Sequence, residues 1–312
     1  MPHRDERPTY QGRPLPRPDE ELVDQGLAFD VGTLMSRRRL LGVLGLGAAG
    51  LGLAACGASA SSSSSTTASN LSSSGSASAA GTTEVPDETA GPYPGDGSNG
   101  PDVLSQSGIV RSDIRSSFGT GSATAEGVPM TLQLTVTDLA DGGVPFEGAA
   151  VYVWHCDQSG QYSMYASGLE DENYLRGVQV ADAKGTVTFT SIYPACYDGR
   201  WPHIHVEVYP DQDSISDASN AIATSQVAMP QDVCSTVYAT SGYEQSKTNL
   251  SKVSLAGDNV FGDDGGVTQI PTVTGDASGG YTVALTAAVD TTTTPTGGSM
   301  GGGPGGGAPP GR

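Results

Sequence analysis

Alternating apolar and polar residues dominate the middle of this chain. Five such stretches follow residue 129, separated by Gly, Asp and Pro: MTLQLTVTDL (130–139), GAAVYVWHCD (148–157), GTVTFTSIYP (185–194), HIHVEVYP (203–210) and GYTVALTAAVD (280–290). A period of two predicts strands with one buried face. No stretch carries a strong helical repeat over twelve or more residues, although residues 218–225 have room for one turn of helix.

Short strands at this spacing predict an all-β fold, namely a two-sheet β-sandwich with its functional site at loops and strand ends. We assign this domain to residues 85–290 of the 312-residue chain. The Ser/Ala/Gly-rich linker at 57–84 and the Gly/Pro-rich tail at 291–312 are predicted to be disordered, because they offer too few apolar residues for a core. Residues 1–35 form a leader extension.

The segment at 36–56, SRRRLLGVLGLGAAGLGLAAC, has the features of an export signal. Arg37 and Arg38 precede a short, glycine-rich apolar run, which is typical of a twin-arginine signal rather than a membrane span. The last four residues resemble a bacterial lipobox, so Cys56 is predicted to be lipidated. We therefore expect an exported protein, either a cell-surface lipoprotein or extracellular. A plain secretory peptide, a weak membrane anchor and a true start at Met35 remain alternatives.

The formal net charge is −19, and it is distributed unevenly along the chain. Seven arginines balance seven acidic residues in 1–55, so the remainder carries eight basic and twenty-seven acidic residues. This excess excludes a nucleic-acid partner, because phosphate contacts require Lys and Arg. Because arginines are few in this acidic region, Arg200, which lies close to two histidines in the sequence, is a candidate for a specific role.

Two of the four histidines lie in one predicted strand, RWPHIHVEV. His203 and His205 are two residues apart, so both imidazoles point to the same face of the sheet. Tyr197 comes just before this strand, and Tyr162 follows a strand end and a turn. A phenol near a highly charged cation loses its proton and becomes an oxygen ligand. Two phenolates and two imidazoles suit Fe(III), whereas zinc prefers Cys or more His.

The motifs WHCDQSGQY, LRGVQVADAKGTVTFTSIYPACY and RWPHIHVEV, with GPY ahead of them, resemble the intradiol ring-cleavage dioxygenases. This family includes catechol 1,2- and protocatechuate 3,4-dioxygenases, and the resemblance covers roughly residues 85–240. It implies a β-sandwich that holds a non-haem Fe(III) through two tyrosines and two histidines, which here are Tyr162, Tyr197, His203 and His205. The chain lacks the N-terminal helical region with which catechol 1,2-dioxygenases dimerise, so it resembles a small, secreted, actinobacterial-type branch of the family.

The resemblance also assigns roles around the metal. It implies that Arg200 stabilises charge that develops on the substrate ring and that Gln226 assists it. Tyr93, Tyr165 and Trp201 are the candidates for lining the substrate pocket. The sequence departs from the family in reading Arg-Trp-Pro ahead of the histidines, and in a longer gap between the histidines and Gln226.

The expected reaction inserts both atoms of O2 between the two hydroxyl-bearing carbons of a catechol-type diol, giving a cis,cis-muconate-type diacid. The expected partners are this diol and O2, with the membrane reached only through a lipid anchor or signal; a homodimer stays open. Two alternatives come from other classes. One is a non-catalytic, ligand-binding lipoprotein on the same sandwich, and the other is a zinc hydrolase that uses His203, His205 and Glu207.

Three cysteines remain after Cys56, namely Cys156, Cys196 and Cys234. In an oxidising compartment pairing is favoured, and three thiols allow one disulfide. We predict Cys196–Cys234, with Cys156–Cys196 as the competing pair. His155 matches no ligand position of the family, so we expect it to be packed in the interior.

Overall fold

The computed structural model describes residues 83–296 and, closer to the N terminus, residues 9–10 and 13–14. In that N-terminal unit, β1 (Thr9–Tyr10) pairs antiparallel with β2 (Arg13–Pro14). The predicted export signal at 36–56 with Cys56, residues 57–82 of the linker and the tail beyond 296 lie outside the described residues. Among the residues described, no helix has the length and apolar character needed to cross a membrane.

The rest of the described chain contains nine strands and two short α-helices. The strands are β3 (Pro129–Asp138), β4 (Val144–Pro145), β5 (Ala150–Trp154), β6 (Arg176–Val180), β7 (Thr186–Ile192), β8 (His203–Tyr209), β9 (Ala223–Ala228), β10 (Thr272–Asp276) and β11 (Gly280–Val289). The helices are α1 (Gln231–Val237) and α2 (Glu244–Leu250), with 3₁₀ turns at Asp213–Ser216, Ala218–Asn220 and Leu255–Gly257.

The strands form two sheets. The first has the order β10-β11-β3-β4, with β7 also paired to β3, and β11 runs parallel to β3. The second has the order β6-β5-β8-β9, and all its pairs are antiparallel. The β-sandwich predicted from the sequence is confirmed.

The main core lies between the two sheets. Alternate residues of β3, including Leu132 and Leu134, pack against alternate residues of β8, including Ile204 and Val206. These are the apolar positions of the period-two pattern, so the sequence alternation translates directly into the buried faces.

The second sheet is buried on both faces. Every residue of β5, β8 and β9 is buried, because the segment before β3 covers the face that points away from the core. Ala90, Val103 and Ile109 of this segment pack against Tyr152 and Trp154 of β5. Polar side chains on that outer face are therefore removed from water, which is costly unless they bind a partner.

All five strands predicted from alternation are present, and β4, β6, β9 and β10 are additional. Residues 218–225 hold one 3₁₀ turn, as anticipated, and then enter β9 at Ala223. The sequence did not predict β9, because its residues, ATSQVA, are buried throughout and show no alternation.

The predicted disulfide between Cys196 and Cys234 is not formed. Both are buried free thiols, as is Cys156, so the competing pair is also absent. The Cys234 sulfur lies 3.2 Å from Tyr193 Oη, whereas the Cys196 thiol donates to the Arg200 carbonyl at 3.5 Å. Each sulfur is thus directed to its own partner. Burial raises the pKa of Cys196 and of Cys234 to about 12, which keeps both thiols protonated.

Candidate functional site

β8 carries both histidines on the outer face of the second sheet. His203 Nε2 and His205 Nε2 lie 3.1 Å apart. The Nδ1–H of His203 donates to the Trp201 carbonyl at 2.5 Å, which leaves its Nε2 as the nitrogen with a lone pair. His203 therefore offers its Nε2 toward His205 Nε2, while His205 Nδ1 is buried without a hydrogen-bond partner in the described residues.

Tyr197 reaches His203 from the loop between β7 and β8. Its Oη is 3.2 Å from His203 Nε2. α2 fixes the loop from behind, because Ser246 Oγ accepts from the Cys196 N–H at 3.1 Å and Asn249 Nδ2 donates to the Cys196 carbonyl at 2.9 Å.

Tyr162 comes from the turn that follows β5. The Asp157 carboxylate closes this turn by accepting from the N–H groups of Ser159 and Gln161, and Tyr174 Oη donates to its other oxygen. The Tyr162 ring centroid is 5.9 Å from that of Tyr197. Its hydroxyl is buried and has no hydrogen-bond partner in residues 83–296.

Aromatic and backbone contacts fix His205 in place. The Trp154 ring stacks on it with centroids 4.7 Å apart and planes at 5°. Gly91 approaches the other side: a Cβ at this position would lie 3.2 Å from His205 Cε1, and its φ of +73° also favours glycine. The GPY motif is therefore placed directly against a candidate ligand.

The protonation states of these groups suit a cation. Burial lowers the pKa of His203 to about 3 and that of His205 well below 6.5, so both imidazoles are neutral. Burial raises the pKa of Tyr162 and of Tyr197 above the ordinary value of 10. Without a cation nearby, both phenols keep their protons, and a metal ion is the kind of charge that removes them.

The residues present fit a metal ion. Neighbouring ligand atoms on an ion with bonds of about 2.1 Å are separated by about 3.0–3.4 Å. The spacings of 3.1 Å and 3.2 Å around His203 Nε2 fall in that range. The Tyr162 hydroxyl, buried without a partner, supplies a fourth donor atom whose burial is otherwise unexplained.

A carboxylate does not join the histidines. Glu207 is on the same face of β8, but it accepts a hydrogen bond from Tyr209 Oη at 2.8 Å. Within the described part of the chain, no three or more His, Cys, Asp and Glu side chains are grouped to hold a metal. The zinc hydrolase alternative lacks the ligand that it requires.

Arg200 and Gln226 lie together beside the histidines. β8 and β9 pair in a register that sets Gln226 opposite His205. Arg200 Nη2 donates to Gln226 Oε1 at 2.7 Å, and Gln226 Nε2 donates to the Thr89 carbonyl at 2.9 Å. The structure thus brings Gln226 to the site despite the long gap in sequence.

Asp258 is a site residue that the sequence did not predict. Its carboxylate accepts from Arg200 Nε at 3.0 Å and from the Trp201 N–H at 2.7 Å. No motif marks it, because 58 residues separate it from Arg200 along the chain.

The three candidate pocket residues have different surroundings. Tyr93 lies 5.0 Å from the Tyr162 ring and 5.1 Å from the Tyr165 ring, centroid to centroid. Tyr165 Oη accepts from the Gly95 N–H and donates to Asn99 Oδ1. Both tyrosines are half-buried, in keeping with a pocket wall.

Trp201 departs from the expectation that it lines the pocket. Its indole N–H donates to the Met229 carbonyl at 2.9 Å, and the ring packs with Ala228, Val260 and Phe261. Only 4% of the residue is exposed, so its contribution is to packing beneath the site. His155 is likewise interior, as predicted: it lies 2.7 Å from Ser191 Oγ, across the two sheets.

One side of the site is more open than the other. His203, His205 and Tyr162 are buried, whereas Tyr197 and Arg200 are half-buried. A small molecule that approaches the four donor atoms therefore meets Tyr197 and Arg200 first.

Comparison with known proteins agrees with this geometry. The sequence model of a family described as "Dioxygenase" matches residues 99–208. The curated chlorocatechol 1,2-dioxygenase of Rhodococcus opacus is 32% identical over 92 residues. Within the matched residues, the chain is therefore similar in sequence to the dioxygenases that these two comparisons name.

Solved structures show the same fold. The intradiol ring-cleavage dioxygenase of Tetranychus urticae is 23% identical with a TM-score of 0.54, and the match covers 69% of this chain and 98% of that one. A second solved dioxygenase is 22% identical with a TM-score of 0.55 over the same shares. The match to the Rhodococcus protein is narrower, at 26% of this chain and 36% of that protein, so the chain spans about a third of the length of this curated relative.

Proposed function

We propose that the protein is an Fe(III)-dependent dioxygenase that cleaves a catechol-type diol between its two hydroxyl-bearing carbons. The observation that carries this proposal is the close approach of three donor atoms, from Tyr197, His203 and His205, beside the Tyr162 ring, whose phenol oxygen is buried and unpartnered among the described residues. The net reaction adds O2 to the diol and gives a cis,cis-muconate-type diacid.

Those four residues would hold the ion, since two phenols and two neutral imidazoles suit a hard trivalent cation better than zinc. Bound Fe(III) would supply Lewis acidity and the redox chemistry that activates a diol toward O2. Burial of three of the four donors and the Trp154 stack on His205 hold this face rigid and exclude water.

Tyr197 is the donor best placed to exchange protons with the substrate. It is the only one of the four that is half-buried rather than buried, and its Oη lies 3.2 Å from His203 Nε2. A phenolate at Tyr197 can take one of the two protons of an incoming diol, so Tyr197 is the proposed general base for that proton.

Arg200 provides the positive charge for the reacting ring. Its guanidinium lies next to the histidines, and Nη1 has no hydrogen-bond partner in the residues that the structure describes. A fixed cation at this point stabilises negative charge that develops on the ring as O2 adds. Tyr93 and Tyr165 are proposed to bound the ring on the opposite side.

The test is cleavage of catechol by the iron-loaded protein under ¹⁸O2. The expected result is one O2 consumed per catechol and a ring-opened diacid that carries one label in each carboxylate. Tyr162→Phe should abolish turnover, whereas Tyr281→Phe, which alters a phenol of β11 outside the donor set, should retain it. Consumption of O2 without the doubly labelled diacid would contradict the proposal.

We further propose that the enzyme acts outside the cytoplasm, held by a lipid on Cys56. The sequence SRRRLL and the Leu-Ala-Ala-Cys that ends at Cys56 support this. Membrane fractionation of the native protein and of Cys56→Ser tests it: the native protein should sediment with membranes and the variant should be released. A homodimer stays a prediction that only a solution measurement of mass can decide.

A further inference from the structure

Asp258 is a buried carboxylate with five hydrogen bonds. Its Oδ2 accepts from Arg200 Nε at 3.0 Å and from the Trp201 N–H at 2.7 Å. Its Oδ1 accepts from Arg200 Nη2 at 3.3 Å and from the N–H groups of Val260 and Phe261 at 2.9 and 3.3 Å. The Asp258 side chain has 0% exposure and that of Arg200 has 15%.

The backbone makes Asp258 the fixed partner in this pair. Three N–H groups hold the carboxylate in one orientation, whereas Arg200 is a long side chain with several rotatable bonds. Contact through two guanidinium nitrogens then sets both the position and the plane of the guanidinium, because the fork geometry permits few alternatives. Burial opposes ionisation of Asp258, but Arg200 and the N–H groups outweigh it and keep its pKa below the ordinary value.

A second contact fixes the guanidinium from the opposite side. Gln226 Oε1 accepts from Arg200 Nη2, and Gln226 is itself held by the Thr89 carbonyl and by its place in β9. The guanidinium is therefore clamped between the 258–261 turn and β9, with Nη1 left without a partner in the described residues.

We propose that Asp258 is the positioning residue for Arg200: it holds the guanidinium in the plane from which Nη1 meets the substrate ring. This inference rests on the proposed function, since it assumes that Arg200 acts on a bound diol. An electrostatic group helps only where charge develops, and displacement by about 1 Å can cost about 100-fold in rate.

The experiment compares Asp258→Asn with wild type in the iron-loaded protein. We expect kcat for catechol to fall by about 10- to 100-fold, while KM and the anaerobic affinity for catechol change much less. Asp263→Asn removes an exposed carboxylate from the same loop and is the matched control; it should keep wild-type kcat. Asp258→Glu, which retains the charge, should recover part of the loss.

A second arm separates positioning from general damage to the fold. In an Arg200→Met background, Asp258→Asn should lower kcat no further, because its effect passes through the arginine. Losses that multiply in the double variant, or Asp258→Asn with the kcat of Asp263→Asn, would overturn the inference.

A third arm does not depend on turnover. In metal-free protein, the Arg200 Nε–H signal in ¹⁵N–¹H spectra should be protected from solvent exchange in wild type and Asp263→Asn, and lost in Asp258→Asn. An unprotected signal in wild type contradicts the positioning role even if the protein cleaves no diol. A protein that protects Arg200 but cleaves no diol contradicts the proposed function instead.

Discussion

The Tyr162 hydroxyl is one of several buried polar groups in the domain that lack a hydrogen-bond partner in the described residues, and its ring lies next to that of Tyr197. Leaving such a group unsatisfied costs about 1–3 kcal/mol. In the metal-free protein this free energy lowers stability. We expect binding of a metal ion to the hydroxyl to remove the penalty. We therefore attribute the unpaired hydroxyl of Tyr162 to metal binding rather than to packing.

This argument predicts the stability of Tyr162→Phe. In metal-free protein the variant should melt at the wild-type temperature or above it, because no hydrogen bond is lost, yet it should bind iron more weakly. Tyr209→Phe is the control, since its hydroxyl donates to buried Glu207. It should lower the free energy of unfolding by about 1 kcal/mol and leave iron binding intact. A Tyr162→Phe protein that melts well below wild type contradicts this account of the residue.

Glu88 links a single residue to the pH dependence of stability. Burial, followed by repulsion from Asp263, raises its pKa from 4.5 to about 7; Asp264 adds to the rise, while Gln269 and Arg200 oppose it. Between these values the unfolded chain has lost the proton and the folded protein keeps it. Stability should therefore fall as the pH rises from about 4.5 to about 7 and change little from this source beyond.

Thermal melts of the metal-free protein at several pH values check this. Glu88→Gln should melt progressively higher than wild type as the pH rises from 5 to 8, because the variant has no proton to lose. Glu126→Gln, at an exposed carboxyl, should follow the wild-type curve. Parallel curves for wild type and Glu88→Gln would show that Glu88 does not titrate in this range.

At the scale of elements, sequence pattern predicted the strands that have one apolar face. β3, β7 and β11 alternate clearly, and the histidines were correctly placed on one face of β8. β9 could not be found in this way, because it is covered on both sides and its polar residues are buried with the rest. β6 could not be found either, because its buried and exposed residues do not follow polarity: Arg176 is buried and Val180 is exposed. Alternation reports burial on one face only.

The site residues also divide into those that the sequence predicts and those that it does not. Tyr162, Tyr197, His203 and His205 lie in recognisable motifs, so their meeting was predictable. The role of Asp258 was not predictable, because it depends on the contact of its carboxylate with Arg200. Along the chain, β9, α1 and α2 lie between these two residues. Trp201 was misplaced for a related reason: an aromatic residue next to a metal motif can point into the pocket or beneath it, and only the partner of its N–H decides.

The segment before β3, which covers the outer face of the second sheet, gives a prediction at the scale of elements. Gly91→Ala adds a Cβ 3.2 Å from His205 Cε1 at a φ of +73°, so it should strain the backbone and displace the histidine. Gly119→Ala is matched, with a φ of +70° and no atom within 4 Å of the added Cβ. We expect both variants to lose about 1 kcal/mol of stability, and only Gly91→Ala to weaken iron binding. Equal iron binding in both would contradict close contact between the segment and His205.

At the scale of the whole molecule, charge should govern which diols reach the site. The net charge of −19 produces a negative potential that repels anions at low ionic strength. We predict that kcat/KM for 3,4-dihydroxybenzoate rises with added salt, while kcat/KM for uncharged catechol stays nearly constant, because salt screens the long-range repulsion. A fall for the benzoate would indicate that local attraction to Arg200 outweighs the field of the molecule.

The central claim is that two phenols and two imidazoles of this sandwich bind Fe(III) and present it to a catechol. The most direct measurement is the visible absorption spectrum of the iron-loaded protein, before and after catechol is added without oxygen. The account predicts a broad phenolate-to-Fe(III) band that is lost in Tyr162→Phe and shifts when catechol binds. A protein that takes up iron but remains colourless, or whose band is unchanged by catechol, would contradict it.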